Sequence, residues 1–455
     1  MRNKLDLTTG DILKTLTKLA LPIMGTSFIQ MAYNLTDMLW IGRIGSDSVA
    51  AVGTVGFFLW FAQAVIALSR IGAEVFVAQS LGEKDEESAK RYAVNAVQLN
   101  IFLSVIYGLF LFVFRHPLIA FFRLGEENVV NMAITYLSYI VIGISFNFVN
   151  PVFTGIFNGA GISKIPFMIN AIGLFTNILL DPLLIFGVGP FPKLGVVGAA
   201  LATIFAQFIV TIVFIIVMKR HDEIYFRINI FQKPNLQNMR AIIKLGLPVA
   251  IQSGIFSFIG MVLGRIIAAY GSTAIAVQKV GSQIESLSWM TAGGFSTALS
   301  AFIGQNFGAK KYDRIIKGYK AAFYAVSLIG IFATLLLIFF AEPIFKVFIP
   351  EKEAVLMGVV YLQILGFSQW FMAIEISTQG AFNGLGKTSI PSAVGIIFNA
   401  LRIPAASLLS TYTALKLNGI WWSISISSVF KGTILVVLFY CLVIKKYKTY
   451  GIIST

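Results

Sequence analysis

The sequence predicts an all-α integral membrane protein with twelve transmembrane helices in two pseudo-symmetric six-helix bundles, an expectation carried by three observations. The first is composition: 57% of the 455 residues are hydrophobic and 12% charged, with mean hydropathy +0.83, well outside the range of soluble domains. The second is span length. A bilayer-spanning helix needs about 20 mainly apolar residues, and short polar punctuation divides the chain into twelve such stretches. The third is an internal repeat.

The stretches fall at roughly 15–40, 50–76, 93–114, 132–156, 164–187, 194–218, 242–270, 274–303, 319–347, 355–383, 388–411 and 417–443. They group into an N-terminal six-helix lobe (1–218), a polar cytoplasmic linker (219–238) and a C-terminal six-helix lobe (239–455). No room remains for a soluble catalytic domain.

The repeat is written in fixed spacings. Leu21-Pro22 recurs as Leu247-Pro248, and Gln79, Gly82 and Lys84 recur as Gln305, Gly308 and Lys310, all 226 residues apart. Phe157-Asn158-Gly159-x-Gly161 with Pro166 recurs as Phe382-Asn383-Gly384-x-Gly386 with Pro391, 225 residues apart. Such constancy points to duplication of a six-helix unit. Six is even, so the two copies share one orientation and are related about the membrane normal. Two bundles that face one another and rock about a cleft expose a midplane site to each side in turn, which is the architecture of a secondary transporter.

Charge distribution sets the topology. The net charge is +15, yet the basic residues are sorted by face. An even number of spans puts both termini on one side, and the loops and ends of that side hold 23 of the 35 Lys and Arg residues, against seven on the other. By the positive-inside rule both termini are cytoplasmic, and the basic excess needs no nucleic-acid partner. The first span lacks a cleavage site and is expected to stay in the mature protein. Cys441 is the only cysteine, and His116 and His221 lie in separate loops, which argues against a disulfide or a structural metal site. No HExxH, GxSxG or Walker A sequence occurs, so an integral-membrane enzyme or an ATP-driven pump finds no support.

An ionisable group in hydrocarbon is costly unless it is paired or lines a wet cavity, so each one is a candidate for function. Within the spans the acids are Asp37, Glu74, Asp181, Glu285 and Glu375, and the bases are Arg70, Arg265, Lys279, Arg402 and Lys431. Tyr33 and Asn34 precede Asp37 by four and three residues, which places the three on one helical face. Asp181 follows Asn177 by four, and Pro182 leaves the carbonyl of Ile178 without its helical donor. Oxygen ligands thus gather where H⁺ or Na⁺ could be held, with a structural hydrogen-bonded pair as the alternative. Asp37 projects through the repeat onto Leu263, and Glu285 and Glu375 project back onto Leu59 and Asn150. Each half therefore carries its own charges. Arg70 and Glu74 have the spacing of an intrahelical ion pair. The charged segments GEKDEESAKR and GAKKYDR are expected to be solvated loops.

The Leu-Pro opening of each half, NLTDMLWIGRIG at 34–45, the segments VAQSLG and IGQNFG, FNGAG and FNGLG, and NILLDPLLIFG at 177–187 resemble the multidrug and toxic compound extrusion (MATE) family, DinF-type prokaryotic branch. The resemblance covers nearly the whole chain and implies the MATE fold and cation-coupled efflux of small organic cations. It carries the family's N-terminal cation pocket over to Asp37, Asn177, Asp181, Ala199 and Thr203, with a possible Na⁺ at Asp37, Asn177 and Asp181. Glu285 matches an acidic position common among relatives, and Glu375 lies in the span where other branches place a C-terminal-half carboxylate. Branches with a C-terminal cation site also use a Glu in the seventh helix, and this chain has none between Ile242 and Tyr270. That departure places coupling mainly in the N-terminal half. Glu285 and Glu375, with Tyr33 and Asn34, are candidates for substrate contact or C-lobe charge. Ion pairing of the two glutamates with Lys279, Arg265 or Arg402 is the alternative.

Aromatic residues make up 14% of the chain, including 41 Phe, alongside 12 Met, enough to line a broad cavity for planar cations. The expected function is secondary active multidrug efflux by alternating access, exchanging organic cations for H⁺ or Na⁺, with no cofactor. A flippase for a lipid-linked sugar or another amphipathic substrate is the alternative; it predicts several bases in the N-terminal half, where Arg70 is the one base within the spans. The expected partners are cationic or amphipathic small molecules and membrane lipid, with the chain acting as a monomer in the inner membrane.

Overall fold

The structure, a computed structural model, describes residues 5–449, and among these it contains helices and no strand. Arg2 and Lys4 of the basic count, and the side chain of Lys448, lie outside the described residues. The first half runs α1 (Ile12–Gly42), α2 (Ser46–Gly82), α3 (Glu86–Val113), a short α4 (Arg115–Ala120), α5 (Glu127–Ile142), α6 (Ile144–Gly159), α7 (Lys164–Phe186) and α8 (Val196–Lys219). The second runs α9 (Leu236–Ala268), α10 (Ser272–Gly308), α11 (Tyr312–Phe339), a short α12 (Ala341–Lys346), α13 (Lys352–Phe367), α14 (Gln369–Gly384), α15 (Ser389–Ala400), α16 (Arg402–Thr411) and α17 (Leu417–Phe439), before a last short α18 (Lys445–Thr449).

Helix bounds reproduce the repeat. Those of α2, α3 and α4 lie 226 residues before those of α10, α11 and α12 at both ends, and those of α5 and α6 lie 225 before α13 and α14. Among the described residues nine helices are long and apolar enough to cross a membrane, and up to eleven if each of two bent pairs is one span. The bends are 51° between α5 and α6 and 46° between α13 and α14. The helix in the place of the eighth expected span, α10, has the length at 37 residues. It is set apart by the polar run from Gln278 to Ser288, which includes Lys279 and Glu285.

Equivalent chemistry ends equivalent helices. Lys84 and Lys310 adopt left-handed φ of 62° and 56°, so Asp85 N donates back to Ser80 O at 2.9 Å and Lys311 N to Asn306 O at 2.8 Å, closing the last turn of α2 and of α10. Asp85 then caps α3 by accepting from Ser88 N at 2.8 Å.

The chain forms two compact units. One includes Gly25–Ala250, and the other Asp6–Met24 together with the chain from Ile251 onward. Both α1 and α9 are therefore shared, each beginning in one unit and ending in the other. In the first unit, two apolar clusters are centred on Phe157, Phe214 and Phe226 and on Ile66, Leu137 and Phe148. In the second, Phe345, Tyr361 and Trp421 anchor an apolar cluster. The polar stretch 219–238 is itself anchored: Tyr225 and Phe226 are buried, Gln98 Nε2 donates to Ile230 O and Gln232 O at 2.9 and 2.6 Å, and Asn235 N donates to Asn95 Oδ1 at 2.7 Å.

The glycines of the repeated FNGxG motif explain themselves by close approach. A Cβ on Gly159 would lie 2.5 Å from Glu74 O, and one on Gly384 would overlap Ser300 O; Glu74 and Ser300 are themselves 226 residues apart. Each glycine lets the second helix of the bent pair cross α2 or α10 backbone to backbone. Gly384→Leu is expected to lower stability by about 1–3 kcal/mol, since overpacking must separate two helices, with Ser377→Ala on the same helix as a milder control. Thermal unfolding in detergent checks this, and an unchanged midpoint for Gly384→Leu contradicts the close crossing.

Candidate functional site

In the N-terminal unit the polar side chains of α1, α7 and α8 converge. Asn177 and Asp181 are fully buried, and one helical turn joins them by Asn177 Nδ2 donating to Asp181 Oδ1 at 3.2 Å. The Asp37 carboxyl lies beside Asp181, Asn177 and Thr203. Tyr33, one turn before Asp37, is buried, and its hydroxyl donates to Thr203 O at 3.5 Å. Asn34, about 100° further round the helix than Tyr33, is exposed and does not join them. Ala199, one turn before Thr203 on α8, is buried in the apolar cluster with Ile185 and Val196. Sequence spacing did not show Tyr136 of α5, which is buried and lies near both Asp37 and Asp181.

Four oxygens of this group accept nothing: Asp37 Oδ1, Asn177 Oδ1, Asp181 Oδ2 and Thr203 Oγ1 are enclosed without a hydrogen-bond partner. Buried polar atoms are ordinarily paired, and a carboxylate left unpaired in hydrocarbon is costlier still. The constellation is one of surplus acceptors, which a proton or a hard monovalent cation satisfies. No set of three His, Cys, Asp or Glu side chains among the described residues forms a metal site. Any cation held here therefore relies on the amide and hydroxyl oxygens as well.

The C-terminal unit settles its charges differently. Glu285 Oε1 accepts from the Tyr361 hydroxyl at 2.5 Å and Oε2 from Gln369 Nε2 at 3.4 Å. The Tyr361 hydroxyl accepts from Gln278 Nε2 at 3.4 Å, and Gln278 Oε1 accepts from Trp421 Nε1 at 2.9 Å. Glu375 Oε1 pairs with Lys431 Nζ at 2.9 Å, both side chains at most 8% exposed. Arg402 is buried, donates to the hydroxyls of Ser427 and Ser428 at 2.8 and 3.3 Å, and is electrostatically coupled to Glu375 and Glu285. Of the partners expected from the sequence, Lys279 and Arg265 are exposed, and the direct pair of Glu375 is Lys431. Arg265 lies on the outer face of α9, whose opposite face buries Leu263 and Ile267 in the apolar cluster.

The two groups occupy related places in the repeat. Tyr361 stands 225 residues after Tyr136, and Arg402 stands 225 after Asn177. A guanidinium thus sits in the C-terminal half where the N-terminal half has an amide. Of the i,i+4 pair expected on α2, Glu74 is buried and Arg70 half-buried. Of the two charged segments expected to be solvated, GAKKYDR is instead a docking surface: Lys311 Nζ donates to Thr8 O at 2.8 Å and Arg314 Nη1 to Gly10 O at 2.9 Å.

Breaking a buried ion pair on one side strands the other charge, at about 3–5 kcal/mol. Lys431→Met is therefore expected to destabilise the protein strongly, and Lys431→Met with Glu375→Gln to recover most of the loss. Thermal unfolding of the two variants in detergent checks it; equal midpoints for the single and double variants would show that the pair is not what holds Glu375.

The comparisons with known proteins agree with this architecture. The family model described as MatE matches residues 22–183 and 248–408, one block in each half. The chain is 29% identical over 430 residues to the probable multidrug resistance protein NorM of Thermotoga maritima, covering 94% of this chain and 92% of that one. It is 26% identical to the probable multidrug resistance protein YoeA of Bacillus subtilis, over 90% and 89% of the two chains. A crystal structure of a MATE protein in the bent conformation superposes with TM-score 0.90 at 23% identity, covering 97% of this chain and 98% of that one. With two matched blocks spanning most of a multi-pass helical membrane protein, the chain belongs to the MATE family of transporters.

Proposed function

We propose that this transporter exports small organic cations and related amphipathic compounds by alternating access, in exchange for H⁺ or Na⁺ bound between Asp37 and Asp181. The observation that carries the reading is the set of four enclosed oxygens without partners on Asp37, Asn177, Asp181 and Thr203. Two adjacent carboxyl groups in hydrocarbon cannot both remain charged without a compensating cation. A proton shared by the pair, or Na⁺ held with the Asn177 and Thr203 oxygens, supplies that compensation. The names of the relatives, probable multidrug resistance proteins, support efflux of varied compounds. Coupling follows from exclusion: an organic cation and a coupling ion that both require the same negative charge cannot occupy the transporter together, so entry of one discharges the other.

The chain does this as a monomer in the inner membrane, with both termini in the cytoplasm, a reading supported by the excess of Lys and Arg on the face of the termini. Asp37 and Asp181 hold the ion; Asn177 and Thr203 complete its oxygen shell. Tyr33 and Tyr136 are buried beside the group. Glu285 and Glu375 remain with their own partners.

Ethidium efflux from proteoliposomes with imposed pH or Na⁺ gradients tests the reading. Wild type is expected to show gradient-driven efflux, and Asp37→Asn and Asp181→Asn each to reduce it by about tenfold or more, as the loss of a charge-compensated ion predicts. Efflux that survives both substitutions in folded protein removes the ion from this site. Efflux driven by one gradient and indifferent to the other names the coupling ion.

A further inference from the structure

Residues 6–11, just ahead of α1, make no regular element and yet are tightly held. The Asp6 carboxylate closes a turn by accepting from Thr8 N and Thr8 Oγ1, both at 2.8 Å, and from Thr9 Oγ1 at 2.8 Å. Leu7 is fully buried. The four carbonyls that follow are all engaged by side chains from the α10–α11 junction. Leu7 O accepts from Asn306 Nδ2 at 2.9 Å and Arg314 Nη2 at 3.4 Å. Thr8 O accepts from Lys311 Nζ at 2.8 Å. Thr9 O and Gly10 O accept from Arg314 Nη2 and Nη1, each at 2.9 Å. The Arg314 guanidinium also lies over the Phe302 ring, 5.5 Å from its centroid.

The chemistry of this grip is that of a fastening that opens. Two of its three donor side chains, Lys311 and Arg314, are cations and the third is the Asn306 amide; the acceptors are neutral peptide oxygens, the Asp6 and Asp11 carboxylates add longer-range attraction to Arg314, and Lys311 is already at the surface. Release exchanges these hydrogen bonds for bonds to water and exposes Leu7. By contrast the Lys431–Glu375 pair, sealed in the interior, cannot open without desolvation cost.

What the strap fastens is α1. Residues Asp6–Met24 belong to the unit that contains α10 and α11, and from Gly25 onward α1 belongs to the other unit, where it carries Tyr33 and Asp37. A single helix is thus moored at its start by Arg314 and bears, beyond Gly25, a carboxyl of the candidate ion site. We propose that residues 6–11 are a releasable latch on the α10–α11 junction, with Arg314 as its positioning residue, and that its closure is coupled through α1 to the state of Asp37. The coupling half of this proposal rests on the reading of Asp37 as an ion-binding group.

Thiol labelling in nanodiscs tests it. In a Cys441→Ser background, Leu7→Cys reports the buried face of the strap and Thr9→Cys, at an exposed position, serves as control. A closed latch makes Leu7→Cys react with a maleimide at least about tenfold more slowly than Thr9→Cys, as for other groups reached through local opening. Arg314→Met is expected to raise the Leu7→Cys rate to that of the control, and Asp37→Asn to change it by about threefold or more. Hydrogen-exchange protection of the Leu7–Gly10 amides gives the same comparison with Leu7 intact. Equal rates for the two cysteines, or protection indifferent to Arg314→Met, overturn the latch. A rate unmoved by Asp37→Asn in protein that has lost efflux overturns the coupling and leaves the transport reading standing. A rate moved by Asp37→Asn in protein whose efflux is intact upholds the latch and removes Asp37 from ion binding.

Discussion

The constraint on which the structure depends is that hydrocarbon offers no water to a charge or a peptide group. Every ionisable side chain kept inside a span must find its compensation within the protein or import it. The C-terminal unit takes the first course. Glu375 has Lys431, Glu285 has the Tyr361 hydroxyl and Gln369, and Arg402 has two serine hydroxyls and the field of both glutamates. Glu375 Oε2 and Gln369 Oε1 are left without a hydrogen bond there, but the glutamates have cations beside them; the N-terminal unit retains two aspartates among which no base is placed, and leaves four oxygens unpaired. Its compensation has to arrive from outside, and this is what makes it the better candidate for a site that loads and unloads.

The same constraint acts on the backbone. Helices satisfy their own peptide groups, so they can pack as closely as side chains permit, and the repeated Gly159 and Gly384 permit contact at backbone distance against Glu74 and Ser300. That closeness fixes the two bent pairs against α2 and α10 in both units. The bends at the α5–α6 and α13–α14 junctions recur at the same repeat position without a proline at either break, and the first is closely packed at its break: a Cβ on Gly143 would lie 2.5 Å from Ile204 Cγ2.

Much of this was legible in the sequence because duplication writes its period in plain residues. The spacing of Leu21-Pro22 and Leu247-Pro248 anticipates helix bounds that coincide at both ends. The turn-apart pairs Tyr33 with Asp37 and Asn177 with Asp181 were also readable, since intrahelical neighbours follow from the 3.6-residue period. Partners on different helices were not. Tyr136, Tyr361, Gln369 and the bond from Lys431 to Glu375 join residues whose proximity depends on tertiary packing, which no local spacing encodes. Tyr136 and Tyr361 did carry one usable signal: they are buried tyrosines at equivalent repeat positions, and each stands beside the carboxylates of its own unit. The strap on α10–α11 was invisible for a further reason. It is held through backbone carbonyls, and a carbonyl has no sequence.

The two halves show how one duplicated scaffold can divide labour. A tyrosine is common to both groups, at 136 and 361, and each stands beside the carboxylates of its own half. The N-terminal half then has an amide at Asn177 and acids at Asp37 and Asp181, whereas the C-terminal half has Arg402 at the equivalent of Asn177, Leu263 at that of Asp37 and Ala406 at that of Asp181. A tethered cation and an exchangeable one answer the same electrostatic need, but only the second can carry free energy across a membrane, because only it can leave. Arg402 and Lys431 are bonded to the chain, so the C-terminal glutamates have their compensating cations beside them here without an ion from solution. In the proposed mechanism, gradient coupling is therefore one-sided by construction. The asymmetry lies in whether the positive charge is bonded to the chain or free to exchange, and in this chain the repeat differs on that point more than in its fold.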